Sequence, residues 1–381
     1  MLGRLSPSHT VILHKLTNGV KMLGVVMSGY NRVSSVVHIP TGSFDDPPQR
    51  DGLSHFTEHV LLRGNAEYPV SALYRMNQSE KLLVSGSTSR EYTQFLSESN
   101  KGTRDLSVML NMVTAPRFKN EVVEYEKQIV SAERRQVSKE KSSVYVQRVH
   151  EELFGKSTAF GHDILGSEES VRSFSAEDVS KFYNQKYRIG QCLFGVLAGD
   201  QHTVNNVFQV VERALSEYCC SNAHSYKIVS HSSHNHSLIR HPKCCDHNKC
   251  IIRKTTEESM TVADVTAYVL NRENEAFHIP YKSVDIVIST KDIAKNTICV
   301  NDEVIQSYLN DVRTHFHRTP LSVLNYYLQF VFSFIASTEI TSRKATRAQF
   351  IERNFAVEDE AERVRAISKG SLERYLLGKF E

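Results

Sequence analysis

No stretch of about 18 consecutive apolar residues occurs in the chain, so no segment has the length and hydropathy to cross a bilayer as a helix. The most apolar stretch, Tyr326 to Ala336, is broken by Gln329 and reads as a buried helix. Charge of one sign is scarce as well. Forty-six Lys and Arg against 43 Asp and Glu leave +3 over 381 residues. This gives no reason to expect nucleic acid or an anionic membrane as the main partner. A disulfide framework is missing too: the seven cysteines are odd in number and all lie from Cys192 onward, a pattern that suits a reducing compartment. The opening MLGRLSPSH has one arginine and no long apolar region, which argues against a secretory signal. Basic, serine-containing and free of acid, it reads either as a very short organelle-targeting segment or as a frayed terminus.

The remainder has ordinary globular composition, 40% apolar and 23% charged, which excludes wholesale disorder. The length suits two domains. Asn18-Gly19 between apolar runs is a hairpin turn signal, and Val33 to Ile39 reads as a core strand. Thr41 to Asp51 is a loop punctuated by Gly42, Pro47 and Pro48, after which a helix begins near Gly52. Ser71 to Asn77 reads as helical, Leu82 to Ser97 as paired strands and Asp105 to Val113 as a helix. A long helix is expected from about Lys119 to beyond Glu140, with acids early and lysines late as the helix dipole prefers. Ser175 resembles an N-cap opening a helix through Tyr183, and Cys192 to Ala198 has strand length.

These readings divide the chain into 1–201, a His/Cys-rich linker or insertion at 202–254, and a second domain at 255–381. The second half gives strand-like stretches at Val262 to Leu270 and Val284 to Ser289, and helix-like ones at Glu303 to His315 and Leu321 to Ala336. His231, His234, His236, His241, Cys244, Cys245, His247 and Cys250 crowd one polar segment, but their spacing does not match the C-x2–4-C pattern of structural zinc sites. A linker of biased composition is the reading that spacing favours.

Ser54-His55-Phe56-Thr57-Glu58-His59 carries the chemistry. On a helix, residues four apart share a face, so His55 and His59 can converge on one zinc ion at about 2.0–2.1 Å each. Glu58 lies near enough to that face to reach a water on the metal without ligating it. Zinc lowers the pKa of bound water to about 7, and a nearby carboxylate takes the proton. A fortuitous H-x-x-E-H in a chain with 17 histidines has a chance on the order of one in twenty. Two ligands are also too few, since a catalytic site has three and one open position. Glu126 and Glu133, two turns apart on the long helix, supply candidates: one can ligate while the other braces a ligating histidine.

HFTEH followed by this acid pair resembles the inverted-zincin metallopeptidases of the pitrilysin and insulinase family. LTNGVK, GSFDDPPQRDGLSHFTEH, TSREYT and APRFKNEVVEYEKQIVSAE are similar to family segments in order and spacing. FGHDILGSEESVRSFSAEDVSKFYNQKY is close to the stretch that mitochondrial processing peptidases carry, their catalytic β-type subunit above all. The likeness runs from about Leu16 to Asp200. It implies an α+β fold of two related domains, each a mostly antiparallel sheet with helices packed on it, the second diverged. It implies one Zn2+ per chain on His55, His59 and Glu133, with Glu58 as general base and Glu126 as the partner of a ligand. Substrate would add as a strand along Val84, Ser85, Gly86 and Ser87. Where the family shows an asparagine–alanine pair, this chain has Ser85 and Gly86, then Ser87.

The activity so implied is removal of N-terminal targeting presequences in a mitochondrial matrix or a mitochondrion-derived organelle, with a non-catalytic second subunit of similar fold as a further partner. Glu168 and Glu169 are candidate contacts for a basic presequence, or a solvated loop. The alternatives are a catalytically inactive scaffold subunit of the same fold, a general oligopeptidase of the same mechanism, and a cytoplasmic location.

Overall fold

The computed structural model describes residues 9–16, 20–63, 65, 83–99, 104–216, 250–254, 276–280 and 284–289, with single positions 303, 304, 307, 308, 311, 324 and 328. Contacts divide the chain into one unit of Val11–Arg240 and another of Met1–Thr10 with His241–Glu381.

The first unit is built on a six-stranded sheet of β1 (His9–Lys15), β2 (Lys21–Met27), β3 (Val33–Ile39), β4 (Leu83–Thr88), β5 (Thr93–Ser99) and β6 (Leu193–Ala198). Its order is β1-β2-β6-β3-β5-β4. Every residue of β6 is buried, as expected of a central strand whose run LFGVLA is apolar throughout. In β5, alternate residues from Thr93 to Ser99 are buried, the period-two signature of a strand with one covered face. The sheet is mostly antiparallel, as expected, with one parallel pair: β3 runs antiparallel to β5 and β6, and β4 to β5, while β2 and β6 pair in parallel. The long excursion between β2 and β6 permits a crossover that a hairpin does not.

Seven α-helices complete the described part of this unit: α1 (Leu53–Leu61), α2 (Arg104–Thr114), α3 (Asn120–Val137), α4 (Lys141–Phe154), α5 (Glu168–Ser173), α6 (Ala176–Lys186) and α7 (Gln201–Ser216). Helix α1 contacts β4, β5, α3 and α6, and α7 contacts β2 and β6. The helix expected from 119 to beyond 140 is two helices. Ser138 turns its hydroxyl onto the Arg135 carbonyl, and Glu140 leaves helical geometry at φ −84°, ψ 108°. The segment read as a linker from 202 opens instead with α7, whose Val204, Val207, Phe208, Val211 and Leu215 are buried at helical spacing. Ser175 caps α6 in a reciprocal box with Asp178, as its sequence indicates.

In the second unit the described strands β7 (Cys250–Lys254), β8 (Ala276–Pro280) and β9 (Val284–Ser289) form an antiparallel sheet, order β7-β9-β8. The readings at 71–77 and 262–270, and the His/Cys-rich residues before Cys250, lie outside the described residues; those at 303–315 and 321–336 lie largely outside them.

Helix α1 begins at a residue that cannot cap it. Gly52 takes a left-handed φ of 90° and has no side chain to offer. A Cβ there would meet the Gly166 nitrogen at 2.6 Å. The free N–H groups are met from the preceding loop: the Asp46 carboxylate, its side chain without solvent exposure, accepts from Gly52 N–H at 2.8 Å and Ser54 N–H at 2.7 Å. The Ser54 hydroxyl, 2.6 Å from the same carboxylate, is shared with the Gly42 carbonyl. His162, also buried, places Nε2 3.3 Å from Asp46. Burial raises the Asp46 carboxyl above its ordinary pKa, against the hydrogen bonds from His162 and Ser54. Burial opposes protonation of His162, but the contact with Asp46 outweighs it and its pKa lies above the usual value. Folding therefore binds the His162 proton more tightly than the unfolded chain does. That stability is complete below about pH 6.5 and is lost as pH rises through the raised folded value. In urea titrations across this range, wild type should lose stability as pH rises, and His162→Gln should flatten the loss. Parallel curves for the two proteins would show that the pair contributes nothing.

Candidate metal centre

His55 and His59 project from α1 one turn apart, their rings edge to face with centroids 4.6 Å apart. Glu133 comes from α3, which packs across α1. Its Oε2 lies 3.1 Å from His59 Nε2 and 3.7 Å from His55 Nε2. One ligand atom from each residue falls within 4.8 Å of the others, and this is the group among the described residues that could hold a metal ion.

The acid two turns earlier has a different position. Glu126 has no solvent exposure, and one of its oxygens lies 3.0 Å from His59 Nδ1. Its other oxygen accepts from Arg63 Nε. A carboxylate at Nδ1 fixes the orientation of the imidazole ring, and here that orientation turns Nε2 toward Glu133. Arg63 went unnoticed in the sequence, although it stands four residues after His59, where the chain has just left α1.

Glu58 meets the edge strand. Its Oε2 accepts a 2.7 Å hydrogen bond from Thr88 Oγ1, and a Cβ on Gly86 would overlap its carboxylate. Strand β4 ends the sheet order, with Val84, Ser85, Gly86 and Ser87 opposite Ser97, Leu96, Phe95 and Gln94 of β5. Gly86 and Thr88 share the side that meets Glu58, while Ser85 and Ser87 are exposed on the other. Glu168 sits at the start of α5, 3.3 Å from the Ser131 hydroxyl and paired with Arg172.

Burial pushes the Glu58 carboxyl up to about 7, against the Thr88 hydrogen bond and the His59 charge and with the charge of Glu133. Burial and the neighbouring His59 hold His55 down at about 4, against Glu133. His59 goes the other way: burial disfavours its charge, but the bonds to Glu126 and Glu133 raise it to about 9. Glu133 is lowered, first by its bond to His59. The arrangement suits a zinc ion on the chemistry of its donors. His55 is neutral, the form that ligates, and its buried Nδ1 has no protein partner. Two carboxylates draw positive charge to the point where three donor atoms converge. His55, His59 and Glu133 would hold the ion.

A buried H-x-x-E-H helix crossed by a glutamate-bearing helix, beside the strand that ends the sheet among the described residues, defines a metallopeptidase of the inverted-motif class. Residues 26–166 match the family model described as Insulinase (Peptidase family M16). The matched segment is an insulinase-family domain. The chain is 25% identical over 204 residues to the mitochondrial-processing peptidase subunit beta of Dictyostelium discoideum, covering 52% of this chain and 42% of that one. It is also 25% identical over 175 residues to an uncharacterized zinc protease of Bacillus subtilis, covering 45% of this chain and 42% of that one. The chain thus spans less than half the length of these relatives. In fold it is similar to a protease from Helicobacter pylori, with a TM-score of 0.63 at 12% identity over 98% of this chain and 96% of that one.

Removing the brace on His59 without touching the ligands tests the geometry. Glu126→Gln should weaken zinc binding about 10–100-fold, read by competition against a chromophoric chelator. Unchanged affinity would separate Glu126 from the metal centre.

Proposed function

We propose that this protein is a zinc endopeptidase that removes N-terminal targeting presequences, acting in a mitochondrial matrix or a mitochondrion-derived organelle. The observation that carries the reading is the convergence of His55, His59 and Glu133, with Glu58 beside them at the edge of the sheet. The presequence assignment is supported by similarity to a processing peptidase beta subunit along about half the chain.

A bound zinc ion supplies Lewis acidity, polarising the scissile carbonyl and acidifying water at the centre. The protein's own residues do the rest. His55 presents a neutral nitrogen, His59 would give up its Nε2 proton to the ion while Glu126 fixes its ring, and Glu133 brings one negative charge. Extended peptide adds along Val84 to Ser87, where main-chain hydrogen bonds hold it. Glu58 takes a proton from the attacking water and passes it to the leaving amine, a task for which a carboxyl titrating near neutrality is suited. We place one zinc on each chain, and a second, non-catalytic subunit of similar fold as partner.

Glu58→Gln should lower kcat on the order of 10²–10⁴-fold while metal analysis still finds one zinc per chain. Survival of activity would remove Glu58 from the base role. Incubation with a precursor protein and with random short peptides decides the substrate. Cleavage of the precursor at one bond supports presequence removal, indiscriminate cleavage of short peptides supports a general oligopeptidase, and no chelator-sensitive cleavage of either supports an inactive scaffold subunit.

A further inference from the structure

A histidine ligates through the nitrogen that carries its lone pair, and which nitrogen that is depends on the hydrogen bond made by the other. His59 turns Nε2 toward Glu133 and Nδ1 toward Oε2 of Glu126, 3.0 Å away. Ligation from Nε2 therefore needs Nδ1 to donate and Glu126 to accept. What holds the far oxygen of Glu126 decides whether it does. That oxygen, Oε1, accepts from Nε of Arg63, and a guanidinium has N–H donors but no acceptor. With one oxygen committed to a group that only donates, the buried carboxylate has its other oxygen left for the ring. Arg63 is itself held. It stands just past α1, which ends at Leu61, and its guanidinium lies over the Tyr125 ring, 5.3 Å from the centroid. Tyr125, next to Glu126 in the chain, is 53% exposed, and the cation stacked on it accounts for a ring of that size at the surface.

We propose that Arg63 is a positioning residue that sets the tautomer of His59: because it only donates, it fixes Glu126 as acceptor on both oxygens, so that His59 donates from Nδ1 and offers Nε2 to the cation. This rests on the reading of His59 as a zinc ligand, but it makes a separate claim about which nitrogen is made available and by what.

The test measures zinc affinity of the full chain by competition against a chromophoric chelator. Arg63→Met should weaken it about 10–100-fold, and wild-type affinity in that variant overturns the proposal. A loss by itself also fits damage to the helix crossing, so the deciding comparison is made in Glu126→Gln. There Arg63 still only donates, so the new amide turns its oxygen to Arg63 and its NH2 to Nδ1 of His59. A donor at Nδ1 drives the ring proton onto Nε2, where it obstructs ligation. Taking Arg63 away from that background frees the amide to turn over and accept from Nδ1. Arg63→Met combined with Glu126→Gln should therefore bind zinc about tenfold more tightly than Glu126→Gln alone. One substitution acting with opposite signs in two backgrounds is not the mark of lost packing. The double variant buries no unpaired charge at this place, so it decides the matter even if Arg63→Met alone fails to fold. Equal or weaker binding by the double variant overturns the proposal. In the zinc-loaded wild type, long-range 1H–15N NMR should find the His59 proton on Nδ1, and a proton on Nε2 overturns it as well. The two readings fail separately. A wild type that takes up no zinc ends the metal-centre reading itself, whereas a zinc-binding wild type with no recovery in the double variant ends only the present inference.

Discussion

A carboxylate with no contact with solvent ties α1 to α3. Glu126 meets His59 on one oxygen and Arg63 on the other, and a charge in that position is tolerated only when such partners are kept. The pairing fixes how the two helices cross, and the crossing delivers Glu133, two turns further along α3, to the nitrogens of His55 and His59. The metal centre is thus a by-product of satisfying a buried acid. Losing either partner would leave Glu126 uncompensated, so the Arg63–Glu126–His59 chain is expected to be the least tolerant part of the domain.

Three glutamates lie within one small region, and their surroundings set them to different tasks. Glu58, enclosed and holding a single hydroxyl, is driven toward neutrality. Glu133, half open to solvent and bonded to His59, is held ionised. Glu126 is spent on two donors and faces no substrate. Environment, more than residue type, separates the proposed base, ligand and brace. The same logic reaches outward through Asp46, which supplies from a loop the cap that Gly52 cannot provide, and through His162, which contacts Asp46 from a distant segment.

The sequence displayed those parts of the site that follow a local period. His55, Glu58 and His59 share a helical turn, and Glu126 and Glu133 repeat on one face, so their grouping could be read before any coordinates. Strand β3 announced itself by a β-branched run, β4 and β5 as paired strands rich in Ser, Thr and Val, β6 by an apolar run of strand length, and the cap of α6 by its serine and acid. What could not be read depends on contacts between distant segments. Neither Arg63 beside Glu126 nor Asp46 beneath α1 follows from spacing, and the parallel partnership of β2 with β6 joins opposite ends of the domain. The break after Val137 turned on a serine preferring its own helix's carbonyl. Helix α7 was a different failure: its apolar period is present in the letters, but the polar composition further along hid it.

Strand β4 closes the order of its sheet with Ser85 and Ser87 turned outward. A bare margin of this kind is usually a hazard, since main-chain donors and acceptors recruit any passing extended chain, including another molecule of the same protein. Small hydroxylated side chains offer such a molecule no apolar ridge to lock against. On the proposed reading the margin holds a guest by its backbone alone, and the same modest grip would protect against fibrous self-assembly.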